Sequence, residues 1–189
     1  MKITPLSIQG AWVTESSLWP DERGFFREWF KHEEILKETG IDFSVQQANF
    51  SLSKKDVIRG IHYSLAPAGQ AKWVTCVSGS ILDVVVDIRP NSPTYKKVEY
   101  INLEPTNGKS VLIGPGLGHG FIAQKDDSGI AYLLSSPYSP NFEFDISPMD
   151  SDLDINWSQE MLEMPNFVLS AKDESAPSLA NRRAQGKLP

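Results

Sequence analysis

Val74-Thr75-Cys76-Val77-Ser78-Gly79-Ser80-Ile81-Leu82-Asp83-Val84-Val85-Val86-Asp87-Ile88-Arg89 decides the fold class of this chain. Two runs of β-branched and other apolar residues flank a Ser-Gly-Ser triplet, which reads as strand, tight glycine turn, strand. In the second run Leu82, Val84, Val86 and Ile88 share one face, and Ile81, Asp83, Val85, Asp87 and Arg89 share the other, because side chains alternate along a strand. Two carboxylates on an otherwise apolar strand predict a face that lines a polar cavity.

The same short rhythm continues on both sides. Extended runs are expected at 43–52, 56–63, 97–103, 110–113, 120–123 and 130–135. Turn chemistry separates them in Arg89-Pro90-Asn91-Ser92-Pro93, Pro105-Thr106-Asn107-Gly108 and Lys125-Asp126-Asp127-Ser128-Gly129. Many short strands punctuated by Gly and Pro predict an all-β sandwich or barrel. Helix is scarce: residues 29–37 carry Phe30, Ile35 and Leu36 ahead of Gly40, a suitable C-terminal stop. With 189 residues and no linker or repeat, the chain is expected to form a single domain over 1–189, its polar tail fraying from about 179.

Composition narrows the function classes. Net charge is −6, a poor basis for non-specific nucleic-acid binding, although a few placed cations can still hold one anionic small molecule. Cys76 is the lone cysteine, so no intrachain disulfide forms, and its apolar neighbours make it a small buried hydrophobe. No window approaches the roughly 18 apolar residues of a membrane span, and the N-terminus lacks a secretory pattern; the expected location is the cytoplasm.

Three histidines are available for chemistry. His32 belongs to the predicted surface helix beside Glu33 and Glu34, where a solvated side chain is expected. His62 sits in the strand-like Val57-Ile58-Arg59-Gly60-Ile61-His62-Tyr63. Strict alternation puts Gly60 with His62 on one face, and Arg59, Ile61 and Tyr63 on the other. His119 lies in Gly114-Pro115-Gly116-Leu117-Gly118-His119-Gly120-Phe121, whose glycines permit unusual backbone angles and close approach of a ligand. A metal-bearing barrel commonly places two His closely on one strand, and His62 has no such neighbour. Lys72, opening a strand after Gln70-Ala71, could supply positive charge to an enolate or a phosphate.

Nine stretches, in order, resemble the dTDP-4-dehydrorhamnose 3,5-epimerase family. They are Asp21-Glu22-Arg23-Gly24-Phe25-Phe26-Arg27-Glu28, Gln47-Ala48-Asn49-Phe50-Ser51, Arg59-Gly60-Ile61-His62-Tyr63, Gln70-Ala71-Lys72, Asp83-Val84-Val85-Val86-Asp87-Ile88-Arg89, Ser92-Pro93-Thr94, Gly118-His119-Gly120-Phe121, Tyr138-Ser139-Pro140 and Leu169-Ser170-Ala171-Lys172-Asp173. The resemblance spans about residues 2–178. It implies a cupin-type jelly-roll barrel with a few short helices, a homodimer, and neither metal nor other cofactor. It implies a dTDP-sugar substrate whose C3 and/or C5 is inverted beside a 4-keto group. By the same resemblance His62 is the base, Asp173 orients it, Tyr132 is the acid on the opposite face, and Lys72 steadies the enolate. Arg23, Phe26 and Glu28 match the segment that reaches the nucleotide across the dimer. Gln47, Asn49, Arg59 and His119 match sugar and diphosphate contacts, and Tyr138 matches a wall of the sugar pocket.

Those residue types suit the chemistry. Protons on carbons flanking a ketone are acidic, and an imidazole with an ordinary pKa of about 6.5 can accept one at cellular pH. A carboxylate on its other nitrogen fixes the tautomer. A phenol opposite can return a proton to the other face. Three competing readings share the barrel: a sugar-nucleotide 3,4-ketoisomerase, a non-catalytic sugar-binding cupin and a metal-dependent oxygenase. Product structure, ligand binding without exchange, and metal content separate them.

Overall fold

The computed structural model describes residues 1–159, 161 and 164–189. Thirteen strands dominate: β1 (Lys2–Pro5), β2 (Ala11–Glu15), β3 (Leu18–Asp21), β4 (Gly24–Arg27), β5 (Gln47–Ser53), β6 (Ile58–Ser64), β7 (Lys72–Ser78), β8 (Ile81–Asp87), β9 (Val98–Leu103), β10 (Lys109–Ile113), β11 (Leu117–Ala123), β12 (Ser128–Leu134) and β13 (Glu143–Asp145). Helices α1 (His32–Thr39), α2 (Ala171–Glu174) and α3 (Leu179–Ala184) are short. A six-stranded sheet, β1-β2-β10-β7-β12-β5, packs on a five-stranded sheet, β13-β6-β11-β8-β9, while β3 and β4 form a separate hairpin. This is the expected all-β, cupin-type jelly roll.

The Ser78-Gly79-Ser80 turn does not make a hairpin. β7 and β8 belong to different sheets, so the turn carries the chain from one layer to the other. Gly79 has φ +69, and a Cβ there would come within 2.5 Å of Ser128 Oγ, so no other residue turns so tightly against β12. The chain also switches layers between β5 and β6, β6 and β7, β9 and β10, β10 and β11, β11 and β12, and β12 and β13. That repeated switching builds the barrel and puts neighbouring stretches of sequence on opposite walls.

Between the sheets lies an apolar core from both layers, including Val74, Cys76, Val111 and Ile130 on one side and Ile81, Val85, Leu117 and Phe121 on the other. Burial of Cys76 raises its thiol to about 11, which leaves it protonated and inert at neutral pH. Outside the five-stranded sheet, Ile61, Tyr63, Val84 and Val86 pack under Ile146, Leu153, Trp157 and Leu179 of the C-terminal segment. Outside the six-stranded sheet, Trp73 and Leu112 pack under Ile35 of α1 and Phe43.

Two sequence expectations need correction. The helix begins at His32 rather than near Trp29, because Trp29 and Phe30 instead pack against the Trp73 cluster; it does stop at Gly40, which adopts φ 74. The tail from 179 does not fray. Ser178 caps α3, Leu179 is buried, Arg182 pairs with Asp145, and the Tyr63 hydroxyl donates to the Lys187 carbonyl at 2.6 Å. Its polar composition hid one anchoring apolar side chain and a set of specific polar bonds.

Candidate active site

The strands on the two sides of the barrel end in chemistry. From the five-stranded sheet come His62 on β6 and His119 on β11, directly opposite each other in register. From the six-stranded sheet come Lys72, at the start of β7, and Tyr132 on β12. All four line one cavity of about 160 Å³ with Ser51, Arg59, Phe121 and Ile130. His62 and Tyr132 therefore stand on opposite walls.

Arg59 is a correction. Strict alternation placed it opposite His62, yet both side chains face the cavity. The register against β11 slips here: His119 pairs with His62 but Phe121 pairs with Arg59, so three steps on β6 match two on β11. This is a β-bulge, and it turns Arg59 and His62 into one space. Gly60, at φ +138, sits at the bulge, and a Cβ on it would lie 2.5 Å from Gly120 Cα. Gly118 and Gly120 are likewise strand residues pressed against β6: a Cβ would meet Ile61 at 2.6 and 2.8 Å. These glycines permit close strand contact, which corrects the ligand approach expected of the glycines around His119.

Two histidine–carboxylate pairs flank the cavity. His62 Nε2 donates to Asp173 Oδ1 at 2.7 Å. Burial alone would raise the Asp173 carboxyl, but the hydrogen bond and charge of His62, with help from Ser170 and Lys172, hold it below its ordinary value. An ionised carboxylate accepts, so the imidazole keeps its proton on Nε2 and its lone pair on the other nitrogen. Asp173 is buried on α2, where its backbone N–H donates to the Ser170 side chain. His119 Nε2 bonds Asp83 Oδ2, also at 2.7 Å, and the other Asp83 oxygen is buried without a hydrogen-bond partner among the described residues. Asp83 thus faces the interior, as its alternation predicted. Asp87, on the same face, instead binds Arg89, Ser92 and Thr94 at the far end of the strand.

Lys72 reaches toward the opposite sheet, its Nζ 3.4 Å from the His62 carbonyl. The barrel walls strip water from its ammonium and lower its pKa to about 8, while Glu143 and Asp83 push it back up and Lys172 pushes it down. Burial raises the Tyr132 phenol, against the hydrogen bond from Asn49 and the charge of Arg59. Gln47 and Asn49 continue the inner face of β5, joined by a 2.9 Å bond. Gln47 also accepts the backbone N–H of Tyr138, which stands exposed beside that edge. Among the described residues, no group of three or more His, Cys, Asp or Glu is arranged to hold a metal ion.

Arg23, Phe26 and Glu28 are not brought to this cavity. They project from the β3–β4 hairpin and its exit: Arg23 pairs with Asp21, Glu28 with Lys31, and Phe26 lies 5.7 Å from Trp19 between ring centroids. Sequence reasoning missed Ser51, Glu143 and the pairing of Asp83 with His119. Ser51 was within reach, since it follows Gln47 and Asn49 at the strand period. Glu143, which accepts from Gln70 at 3.2 Å, lies on a three-residue strand with no sequence signal of its own.

The fold and the cavity define a cupin-type jelly roll with ionisable side chains from both sheets around one pocket. The profile of dTDP-4-dehydrorhamnose 3,5-epimerases matches residues 5–181. The dTDP-4-dehydrorhamnose 3,5-epimerase of Mycolicibacterium smegmatis is 43% identical, covering 100% of this chain and 91% of its own. The structure of NovW, a 4-keto-6-deoxy sugar epimerase from the novobiocin cluster of Streptomyces spheroides, superposes with a TM-score of 0.94 at 39% identity, covering 100% of this chain and 92% of NovW. ChmJ, a 3'-monoepimerase from Streptomyces bikiniensis solved with dTDP-quinovose, gives a TM-score of 0.92 at 41% identity over 98% and 92% of the two chains. This chain belongs to the dTDP-4-dehydrorhamnose 3,5-epimerase family and is an epimerase of the isomerase class.

Proposed function

We propose that the chain inverts C3, C5 or both in a dTDP-4-keto-6-deoxyhexose, with His62 as base and Tyr132 as acid. The observation that carries the reading is the placement of His62 and Tyr132 on facing sheets around one small cavity. His62, oriented by Asp173, takes the proton beside the ketone; the electron pair passes to the ketone oxygen. Lys72 lies against that oxygen and stabilises its charge in a site where water is largely replaced by fixed groups. Tyr132 then delivers its hydroxyl proton to the opposite face of the carbon. Both carbons flank the same carbonyl, so one base–acid pair serves each if the ring shifts.

Arg59 and His119 hold the diphosphate and sugar, Gln47 and Asn49 contact the sugar edge, and Tyr138 walls its pocket. Remote binding of this kind holds the ring in reacting geometry. We further propose a homodimer in which Arg23, Phe26 and Glu28 of one subunit complete the nucleotide site of the other. Support comes from an exposed apolar surface over the hairpin and outer barrel face, with Phe26 65% and Phe50 63% exposed beside Trp19, Phe25, Leu52 and Val77. We read 1–189 as one domain working in the cytoplasm on this soluble nucleotide sugar. Among the described residues no helix is long and apolar enough to cross a membrane.

The test is solvent exchange. Enzyme and keto-sugar nucleotide are mixed in heavy water, and C3 and C5 are followed by NMR. Exchange with inversion at one or both carbons is expected; no exchange at either defeats the proposal. Tyr132→Phe is expected to keep exchange and lose inversion.

A further inference from the structure

The proposed base–acid chemistry leaves the site altered after every inversion, and the following step rests on that chemistry. The base has gained a proton and become imidazolium, while Tyr132 has lost one and become phenolate. Another inversion requires the reverse at both groups. They stand on different sheets with the sugar between them, so each needs its own proton route.

For the base a route is visible. His62 also lines a second cavity of about 340 Å³, with Arg59, Ser170, Lys172 and Asp173. The imidazolium can release its proton to water there without crossing the sugar.

For the phenolate the candidate is Lys72. β7 and β12 pair Val74 with Tyr132 and Lys72 with Leu134. Lys72 and Tyr132 are therefore diagonal neighbours on one face, about 7–8 Å apart at the backbone and within reach of a long side chain. Both line the same cavity. Among the described residues Lys72 forms no ion pair, and its one hydrogen bond is the long contact to the His62 carbonyl. No short bond fixes its ammonium in place. We propose that Lys72 returns a proton to Tyr132 after each inversion, in addition to steadying the enolate.

The step balances. An Nζ–H bond of the ammonium breaks, the phenol O–H bond forms, and the neutral amine takes a proton from cavity water, leaving hydroxide; the imidazolium gives its proton to water in the second cavity, and the hydronium formed there neutralises that hydroxide through solvent. Nothing is consumed. With a pKa of about 8 the ammonium is charged at neutral pH yet yields its proton readily to a phenolate whose conjugate acid burial has raised. The groups facing it agree. Glu143 from β13 and Asp83 from β8 keep the amine protonated between cycles, Lys172 opposes them, and Asn49 and Arg59 restrain the phenol.

Arginine separates the two roles, because guanidinium keeps its charge but cannot give up a proton. Lys72→Arg enzyme is mixed with excess keto-sugar nucleotide in heavy water. Exchange at the proton-accepting face is expected to continue over many turnovers, while inverted product stops at about one per site, a burst without a steady phase. Wild-type enzyme shows both continuously. In Lys72→Ala, methylamine is expected to restore steady inversion and guanidinium is not, which guards against an arginine that misfits the cavity. Steady inversion by Lys72→Arg, equal loss of exchange and inversion, or equal rescue by guanidinium overturns the proton-return role alone. Wild-type enzyme that neither exchanges nor inverts overturns the epimerase reading and this step with it.

Discussion

His62–Asp173 and His119–Asp83 are the same chemical pair built twice, each at 2.7 Å, one strand apart in one sheet. They differ in how they are enclosed. The His62 side chain is 37% exposed and takes its carboxylate from α2, a short helix far along the chain. The His119 side chain is 10% exposed and takes its carboxylate from the adjacent strand β8. An imidazole that must gain and lose a proton needs contact with substrate and water. One that holds a ligand needs rigidity. On the proposed mechanism the same two residue types therefore serve as a movable proton site in the first case and a fixed, ligand-holding wall in the second.

The sharpest way to break the comparison is to remove each imidazole. His62→Ala is expected to lower solvent exchange at the substrate carbon by about 10³-fold, in the range typical of a lost general base, with a smaller loss of stability than the His119 variant because the half-exposed His62 leaves a space that water can enter beside Asp173. His119→Ala is expected to act mainly on the fold. It strips the partner from a fully buried carboxylate, at a cost of about 3 kcal/mol, read by denaturant unfolding. Equal destabilisation by both substitutions would show that the two pairs are structurally equivalent and end the distinction.

Asp87 sharpens the contrast from the same strand as Asp83. Burial alone would raise its carboxyl, but Arg89, Ser92 and Thr94 outweigh it and bring the value to about 2. A depressed folded value means the stabilisation is present above the ordinary carboxyl value near 3.8 and is lost as pH falls through about 2. Asp87→Asn is expected to remove about 2 kcal/mol at pH 7 and to flatten stability between pH 4 and 2, measured by acid titration of unfolding. Retention of the full acid transition in the variant counts against the assignment.

How much of this could be read in the sequence follows from the range of the forces involved. The layer of strands was legible because alternation and glycine turns are local, and Asp83 was legible as an inward acid for the same reason. His62 and Lys72 stood out locally as candidates, but their roles, and Tyr132 altogether, came from resemblance, since no local pattern brings β6, β7 and β12 around one cavity. Arg59 was assigned to the wrong face because the bulge depends on Gly60 meeting Gly120, a contact between strands some sixty residues apart. The hairpins β1–β2 and β3–β4 were missed because Pro5 and Pro20 interrupt short runs that read as loops. The tail was expected to fray because its anchoring rests on single bonds, such as Tyr63 to Lys187, that composition does not reveal.

The finest test separates the two carboxylates by what they do to Lys72. Asp83 is among the charges that lift the Lys72 ammonium above the level burial alone would set, and Asp173 is not. On the proposed mechanism the ammonium form steadies the enolate, so kcat/KM is expected to fall on an alkaline limb near pH 8. Removing the Asp83 charge makes the ammonium less stable, its pKa drops further, and the limb moves to lower pH. Asp83→Asn is therefore expected to shift that limb downward, while Asp173→Asn lowers the whole profile and leaves the limb in place. A downward shift in both variants would mean that Lys72 feels the two pairs alike, and that the separation between a proton-moving pair and a wall-forming pair does not extend to the field inside the cavity.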